Sequence, residues 1–456
     1  MMTDMHCKTM PIKQQTPLRT FFAALITAAL MVSQTAQATV EITAPAHFGE
    51  PPARPQMLAD PHRPSGSPTS AAIERITQED GPGAGLQLAQ KALSGSQRTY
   101  GEKDARTIIP RLNVANAIQR TGRDAESLIE YRKIIQMIEA AGGPRDARLV
   151  DAWNGVAFAH LNAGQFSGAQ LAYEASLQLG RVNLGLNNVA QLDKLHALAI
   201  AQQASGAGDD AHDTQVRRLK AGEQIFGMDS PGTANLYVSV GRWFRINGRV
   251  SNAIALHSLA VGILDKDSEH EPELTEALIE VAISASKRPL EFDQTPLPRN
   301  ARPRSALERA EALVTKDSSL AAETRAAKLI RIADVHISQN RASSAVPIYQ
   351  QAASLLASVG QAAPYSAPVF IEFAPPFAEA VPGKGGDVVA EFTVSEKGAV
   401  EQMQILEHLS IPVANATIQN LRRSLRSAIL RPRIVNGVPV ETRNVRFRLA
   451  VRGGSA

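Results

Sequence analysis

DAWNGVAFAHLNAGQFSGAQLAYEAS, residues 151–176, decides the fold. Two helix-length stretches flank Gly164, with a small residue seven positions before it (Ala157) and another five positions after it (Ala169). Small side chains at those points let two antiparallel helices cross closely, and the glycine supplies the left-handed conformation that closes the turn between them. The arrangement recurs. Gly122, Gly164, Gly206 and Gly248 stand at a fixed 42-residue interval, preceded by Ala115, Ala157, Ala199 and Gly241 and followed by Ser127, Ala169, Ala211 and Ala253. A beat of that length between helical segments marks a repeat array. One helical hairpin cannot bury its own apolar face, so neighbours must stack into a solenoid.

Trp153, Ala157, Gly164, Phe166, Ala169 and Tyr173 stand at the spacing of a tetratricopeptide unit, and the long period resembles the kinesin-light-chain type of that repeat. Tyr131 and Tyr173, nine residues after their glycines, mark a packing position that Gln215 and His257 fill more weakly. A later unit, TRAAKLIRIADVHISQNRASSAVPIYQQAASLLAS (residues 324–358), repeats the pattern with Ala333, Asn340, Ala345 and Tyr349. Between them, Glu276 to Lys287 reads as a first helix and Arg304 to Thr315 as its partner. Residues 289–303 hold four prolines and read as an insertion loop, because proline cannot sit throughout a helix. The beat extends back to about residue 71, where ALSGSQRTYG resembles a second helix, so the spacing predicts six units over residues 71–360.

The N-terminal region speaks to where the array works. Lys8, Lys13 and Arg19 precede an apolar run, Phe21 to Val32, followed by Ala36-Gln37-Ala38, a small-x-small cleavage pattern. Residues 1–38 are expected to be a secretory signal peptide, which implies a periplasmic mature chain. An uncleaved segment would instead anchor the protein in the inner membrane, facing the periplasm, although twelve apolar residues fall short of the ~20 that span a bilayer. Membrane association is expected only in that case. The single cysteine, Cys7, lies ahead of the apolar run, so no disulfide framework, thiolate metal site or cysteine nucleophile is available after processing. From Thr39 onward 45 basic residues face 43 acidic ones, and this near-neutral balance argues for no nucleic-acid role. Residues 39–70, rich in proline, are expected to be a flexible tether reaching ~75 Å over its Pro-rich part if fully extended.

After a linker and extended segment at 361–385 the period changes from helical to strand. Val388, Ala390, Phe392 and Val394 alternate, Gly398 turns the chain, and Val400 to Leu406 returns, which is a β-hairpin. Ile418, Leu421, Leu425 and Ala428/Ile429 share one helix face, and Val445, Phe447, Leu449 and Val451 alternate in a last strand against Arg446, Arg448 and Arg452. The order is ββαβ over residues 386–456. GDVVAEFTVSEKGAVEQMQIL, LRRSLRSAILRPRIVNGVPV and ETRNVRFRLAV resemble the hairpin, helix-to-turn and last strand of the TonB C-terminal domain, and Pro376 matches the proline of that family's tyrosine–proline element. The chain departs from the pattern at Pro375, where the family has tyrosine, and at Ala428 and Leu430, where it has aromatics before the proline that is here Pro432. The functional histidine of the TonB anchor has no counterpart in Phe21 to Val32, so the resemblance implies the fold more than energy transduction.

Enzyme motifs carry little. Ser284-Ala285-Ser286-Lys287 spells SxxK without a downstream KTG, and Gly81 to Gly85 opens a helix but follows no strand. His160, His196 and His257 lie in separate repeats without paired metal-ligand spacing. No catalytic residue, metal or cofactor is expected. What remains is recognition. Asn116, Arg120, Asn154, Asn162, His196, Gln203, Arg242 and Arg245 fall on first helices, which line the groove of tetratricopeptide arrays, and such amides and arginines suit an extended acidic peptide or a C-terminal carboxylate. They suit an ordinary solvated helix surface equally. Arg446 and Arg448 on the last strand share that ambiguity. The reading is a non-enzymatic periplasmic scaffold that binds envelope proteins or extended peptides through a repeat groove and a sheet edge. A second, implied by the TonB resemblance, is an energy transducer coupling an inner-membrane motor to outer-membrane transporters. A third, a secreted hydrolase, lacks an identifiable nucleophile and base.

Overall fold

The computed structural model describes residues 39–42, 70–266, 268–287, 302–361, 365–373, 381–382, 386–435, 438–451 and 453–454. The expected signal peptide, most of the tether, nearly all of the insertion loop, and Pro375 and Pro376 lie outside the described residues.

Among the described residues fourteen helices pair into seven antiparallel hairpins, one more than the spacing predicted. They are α1 (Ser70–Glu79) with α2 (Pro82–Tyr100), α3 (Ile108–Arg120) with α4 (Asp124–Gly142), α5 (Leu149–Asn162) with α6 (Phe166–Leu184), and α7 (Ala190–Ala204) with α8 (Gly208–Phe226). Then come α9 (Pro231–Ile246) with α10 (Val250–Leu264), α11 (Glu271–Ser286) with α12 (Pro303–Lys316), and α13 (Ala322–Ser338) with α14 (Ala342–Ser358). Each helix packs on the next in chain order, as stacked hairpins must. None of these helices is long and apolar enough to cross a membrane.

The crossing points are as tight as their small residues allow. Ala115, Ala157 and Ala199 are fully buried, as are Ser127, Ala169, Ala211 and Ala253, and Ala333 and Ala345 repeat this in the last hairpin. Gly122, Gly164, Gly206 and Gly248 all turn with positive φ, and Asn340 takes the same conformation at φ 58°, which asparagine tolerates better than most residues. The 42-residue beat has a second hand that the turn glycines do not reveal. Gly101, Gly143, Gly185 and Gly227 also recur at 42 residues, each at positive φ just after the second helix of a unit. So in α3–α4, α5–α6 and α7–α8 both turns of the repeat are closed by a glycine at positive φ. Position nine after the turn is buried in five of the units, whether Tyr131, Tyr173, Gln215, His257 or Tyr349 fills it. Where a tyrosine or histidine projects there, the neighbouring first helix provides a hole: a Cβ on Gly155 would lie 2.2 Å from Tyr131 Cζ, and one on Gly241 2.4 Å from His257 Nε2.

Ala169→Leu forces a larger side chain into the crossing of α5 and α6 and should destabilise by ~1–3 kcal/mol. Leu171→Asp, on the outside of the same helix and 77% exposed, should leave the thermal melt nearly unchanged. Gly180 would be a poorer control than its distance from the crossing suggests, because it is buried with Val150 against it. Equal melts for wild type and Ala169→Leu would refute the crossing.

The remaining residues form a small α+β unit. Its main sheet has the order β1-β9-β4-β5, from β1 (Val40–Ile42), β4 (Gly386–Val394), β5 (Val400–Ile405) and β9 (Thr442–Val451). Strands β4 and β9 run antiparallel with Val388 opposite Leu449, Ala390 opposite Phe447 and Phe392 opposite Val445, so their apolar positions share one face. Helix α15 (Asn415–Ser427) lays Leu421 and Leu425 on that face, with Ile418 only half buried. Ala428 is already extended, and Ile429 begins β6 (Ile429–Arg431), so these two close the helix rather than continue it. Gly398 is required twice over: its φ is +77°, and an added Cβ would lie 1.9 Å from the Leu430 carbonyl oxygen. Small two-stranded pairs complete the unit: β2 (Val369–Glu372) with β6, β3 (Val381–Pro382) with β10 (Gly453–Gly454), and β7 (Arg433–Val435) with β8 (Val438–Val440).

One expectation is corrected here. The stretch read as tether from residue 39 begins with a strand, since Val40–Ile42 pairs in parallel with Val445–Phe447. Within 361–385 the chain contributes β2 and the stacked pair Phe370 and Phe373, whose centroids are 4.3 Å apart and whose rings both meet Phe447 edge-on. These two rings supply aromatic mass to the same core cluster as Ala428 and Leu430.

Candidate functional site

The C-terminal unit is docked on the last repeats, and the groove at that junction carries a dense cluster of charge. Helices α9, α11 and α13 are first helices of successive hairpins, and they place Arg242 and Arg245, Glu276 and Glu280, and Arg331 and Asp334 on neighbouring turns. Glu280 is only 1% exposed yet ionised, because three guanidinium groups surround it. Arg245 Nη2 donates to it at 2.8 Å, Arg331 Nη2 at 2.7 Å, and Arg242 through Nε at 3.2 Å and Nη2 at 3.0 Å. Burial pushes its carboxyl up, but Arg245, Arg242 and Arg331 together outweigh burial and hold it well below the usual carboxylate range. Glu276 accepts from Arg242 at 2.8 Å and from Arg331 Nη1, which completes a network of two carboxylates and three arginines. Charge-assisted bonds of this kind are the strong ones, and the one between Arg245 and Glu280 is shielded from water while Arg242, Arg331 and Glu276 stay partly exposed.

A second buried pair joins the two parts of the chain. Asp334, on α13, accepts from Arg431 of β6 through Nε at 2.8 Å and Nη2 at 2.9 Å, and from the Tyr349 hydroxyl at 2.7 Å. Tyr365 donates its hydroxyl to the Tyr349 carbonyl at 3.0 Å and accepts at its own carbonyl from Ile434 N at 3.1 Å. Burial lifts both phenols, Tyr365 to about 12, so neither ionises in the working range. Between these two networks lies a cleft of ≈ 720 Å³. Arg242, Arg331 and Lys287 form its charged wall on the repeat side, with Phe370, Phe373 and Arg431 opposite. Five basic side chains against three acidic ones line it, leaving an excess of two positive charges beside an aromatic wall.

The residues singled out by spacing fare unevenly. Arg242 lines this cleft as a groove residue should. Arg245 also reaches it but is committed to Glu280 and only 7% exposed. Asn116 and His196 are corrected as groove-lining groups, being 2% and 3% exposed. Asn116 accepts from the Tyr131 hydroxyl, and His196 Nδ1 lies 3.2 Å from Gln215 Nε2, so both serve the packing position of their own hairpin. Arg120 bonds Glu74 at 2.7 Å and Asn162 donates to Asp124 at 3.2 Å, each tying one hairpin to the one before. Asn154 and Gln203 are half buried on their first helices. Arg446 pairs with Glu391 at 2.8 Å, and Arg448 with Glu41 at 2.8 Å. Glu276, Glu280, Arg331, Asp334 and Arg431 were not picked out from spacing. Part of their signal was present as one sign of charge repeated on a single helix, Arg242 and Arg245 and then Glu276 and Glu280, answered by the other sign on the next first helix, but it takes the stacking to bring them together.

The SxxK match resolves into core packing. Ser284 and His257 are both fully buried and 3.0 Å apart, and His257 Nε2 faces the Val238 carbonyl at 3.2 Å. With Nε2 donating to that carbonyl, Nδ1 accepts from the serine hydroxyl. Burial, more than the neighbouring charges, pushes the imidazole down to about 4, so it is neutral. A serine and histidine sealed this way present nothing to a substrate. Among the described residues no cluster of His, Cys, Asp and Glu could hold a metal ion.

The fold and the cleft define a tetratricopeptide-like helical-repeat protein carrying a small C-terminal α+β unit. No family model matches the chain, and no curated protein does. Solved structures similar to part of it include nearly identical tetratricopeptide-like repeats assigned to a kinesin light chain of Podosopora anserina, at 18% identity, covering 43% of this chain and 93% of that one, with a TM-score of 0.38. BtubC (BKLC) from P. vanneervenii is similar at 16% identity over 54% of this chain and 91% of its own, TM-score 0.40. YrrB, described as a tetratricopeptide protein with an unusual peptide-binding site, is similar at 15% identity over 49% of this chain and 93% of its own, TM-score 0.30. At such values the class rests on this chain's own geometry.

Proposed function

We propose that the chain is a non-enzymatic scaffold of the cell envelope, in which the cleft between the last repeats and the C-terminal unit holds an acidic, partly apolar segment of a partner protein. The observation that carries this reading is the cleft itself, open, arginine-rich, in positive excess and walled by Phe370 and Phe373. Arginine forks suit carboxylates, and the aromatic wall suits an apolar neighbour in the same peptide. Periplasmic location rests on Lys8 to Ala38 alone, and the TonB-like identity of the C-terminal unit on its hairpin, helix and last strand. The transducer reading needs an intact N-terminal segment and outer-membrane transporters as partners. Extended peptides of other envelope proteins serve the scaffold reading equally well.

The test is capture from an envelope fraction by the mature chain, followed by calorimetric titration of the recovered segment. Arg331→Gln should weaken binding at least tenfold, and raising salt from 50 to 500 mM should weaken it further, as expected of exposed charges about a Debye length apart. Binding indifferent to both would sink the cleft as the site. N-terminal sequencing of the same material should begin at Thr39. Recovery of residues 1–38 in the inner-membrane fraction would favour the transducer.

A further inference from the structure

Helix α15 turns a second face away from its own core. Leu421 and Leu425 are buried and Ile418 half buried, and at about 100° per residue Arg422, Arg426 and Arg423 fall on the other side, spread over roughly 100° of arc. Gln419 falls among them. Arg423 and Arg426 are exposed, Arg422 is half buried, and the helix holds no carboxylate. Elsewhere on the C-terminal unit the outward arginines are answered: Arg443 by Glu441 at 2.7 Å, Arg446 by Glu391 at 2.8 Å and Arg448 by Glu41 at 2.8 Å. Among the described residues no carboxylate lies within ion-pair distance of the three on α15, and Arg423 Nη1 is 3.5 Å from Asn420 Oδ1. The cleft takes Ser427 and Ala428 from the end of this helix but none of the three arginines.

Fold stability does not explain them. Like charges three and four residues apart weaken a helix slightly, and the field at a helix C-terminus favours Arg426 in the last turn but not the two before it. The surrounding sequence leans the same way, because from Gly398 to Ala456 nine arginines face three glutamates and there is no lysine.

We infer that this face of α15 docks the chain on an anionic phospholipid surface, with the guanidinium groups taking headgroup phosphate oxygens. This goes beyond the cleft reading and does not rest on it. Planar guanidinium forks match phosphate in a way that an ammonium cannot. An acidic peptide is selected where a groove offers its side chains pockets, whereas these arginines stand on the back of a helix that lies on a sheet. A flat, repeating array of phosphates can meet all three at once. At roughly fivefold for each arginine the face contributes about a hundredfold in affinity, which is a reversible attachment.

The probe is phosphatidylcholine vesicles with and without roughly one-third phosphatidylglycerol, mixed with the full chain from Thr39, which lacks the apolar N-terminal run and Cys7. Flotation should show at least tenfold tighter binding to the anionic vesicles, lost in about 0.5 M salt as the charges are screened. Arg422→Gln/Arg423→Gln/Arg426→Gln should abolish the preference with an unchanged thermal melt, and the corresponding lysine triple should retain most of it. Arg443→Gln, which removes one positive charge elsewhere on the same unit, should alter binding less than twofold. Arg331→Gln should leave vesicle binding intact even where cleft binding is lost, so the two readings fail separately. To locate the contact, an environment-sensitive fluorophore on Gln419→Cys should shift to the blue with anionic vesicles, while one on Leu171→Cys, on the outside of the array, should not. Equal binding to both vesicle types, a glutamine triple that binds like wild type, or a shift at Leu171 without one at Gln419 would overturn the inference. So would a chain that ignores vesicles but is captured through these arginines by polyglutamate or by peptidoglycan, because the face would then serve a peptide or a glycan.

Discussion

Glu280→Ala should destabilise the last three hairpins by about 3–5 kcal/mol, the cost of breaking a buried ion network by removing one partner. Arg245, at 7% exposure, would lose its bond to Glu280, and Arg242 and Arg331 would keep theirs to Glu276. Urea unfolding gives the magnitude, and hydrogen exchange along α9, α11 and α13 should show where it falls. Glu280→Gln keeps the shape and one acceptor, so it should cost less than alanine does. If alanine costs no more than about 1 kcal/mol, typical of an exposed pair, the network contributes little and the burial of Glu280 is not electrostatically demanding.

The same residues set an acid sensitivity. His257 is neutral in the fold with its pKa lowered to about 4 from 6.5, so the unfolded chain binds a proton the folded chain refuses between those values. Stability from this group is complete above about 6.5 and is lost as pH falls toward 4. Glu280, held well below its ordinary 4.5, adds a loss that begins below that value. Stability should therefore decline from about pH 6.5 and fall faster under 4.5. His257→Gln should flatten the first part and leave the second.

Removing Arg431 or Asp334 singly should be comparably costly, about 3–5 kcal/mol, because each leaves the other charge buried at the junction between repeats and C-terminal unit. Arg431 is 8% exposed and Asp334 4%. The loss should be local, with hydrogen exchange rising at β2 and β6 and in α13 while α3 to α8 stay protected. Arg431→Met with Asp334→Leu and Tyr349→Phe removes all three polar groups together and should recover most of the stability, since an apolar replacement of a buried pair is often neutral or better. A single-site loss that spreads evenly through the array, or a triple variant no better than Asp334→Ala, would contradict the idea that this pair fastens the two parts.

Local features were readable because they depend on short spacing. Turn glycines at 42 residues and the small residues around them state where helices turn and cross, and Ala157 and Ala169 are buried to the last square ångström. The second series, Gly101 to Gly227, was equally present in the chain and marks where each of the first four hairpins ends. Alternation likewise marked β4, β5 and β9, down to the face that α15 covers.

Residue type and helix position by themselves determined the class of this protein: a helical-repeat solenoid followed by a small sheet unit. They did not determine which polar groups face out. Asn116 and His196 sit on first helices like Arg242, yet the superhelical stacking turns them inward, onto Tyr131 and Gln215, while Arg242 and Arg245 line the cleft. Side-chain direction around a helix follows from 3.6-residue periodicity, but the boundary between core and groove is drawn by the neighbouring hairpin. Tertiary structure alone also decided every pairing at long range. Glu280 gathers arginines from the hairpins before and after it, Arg431 reaches Asp334 across 97 residues, and Val40–Ile42 crosses the length of the chain to join β9. Such partners share no spacing rule, because loop closure costs rise only slowly with length and leave the choice to shape and charge at the final contact.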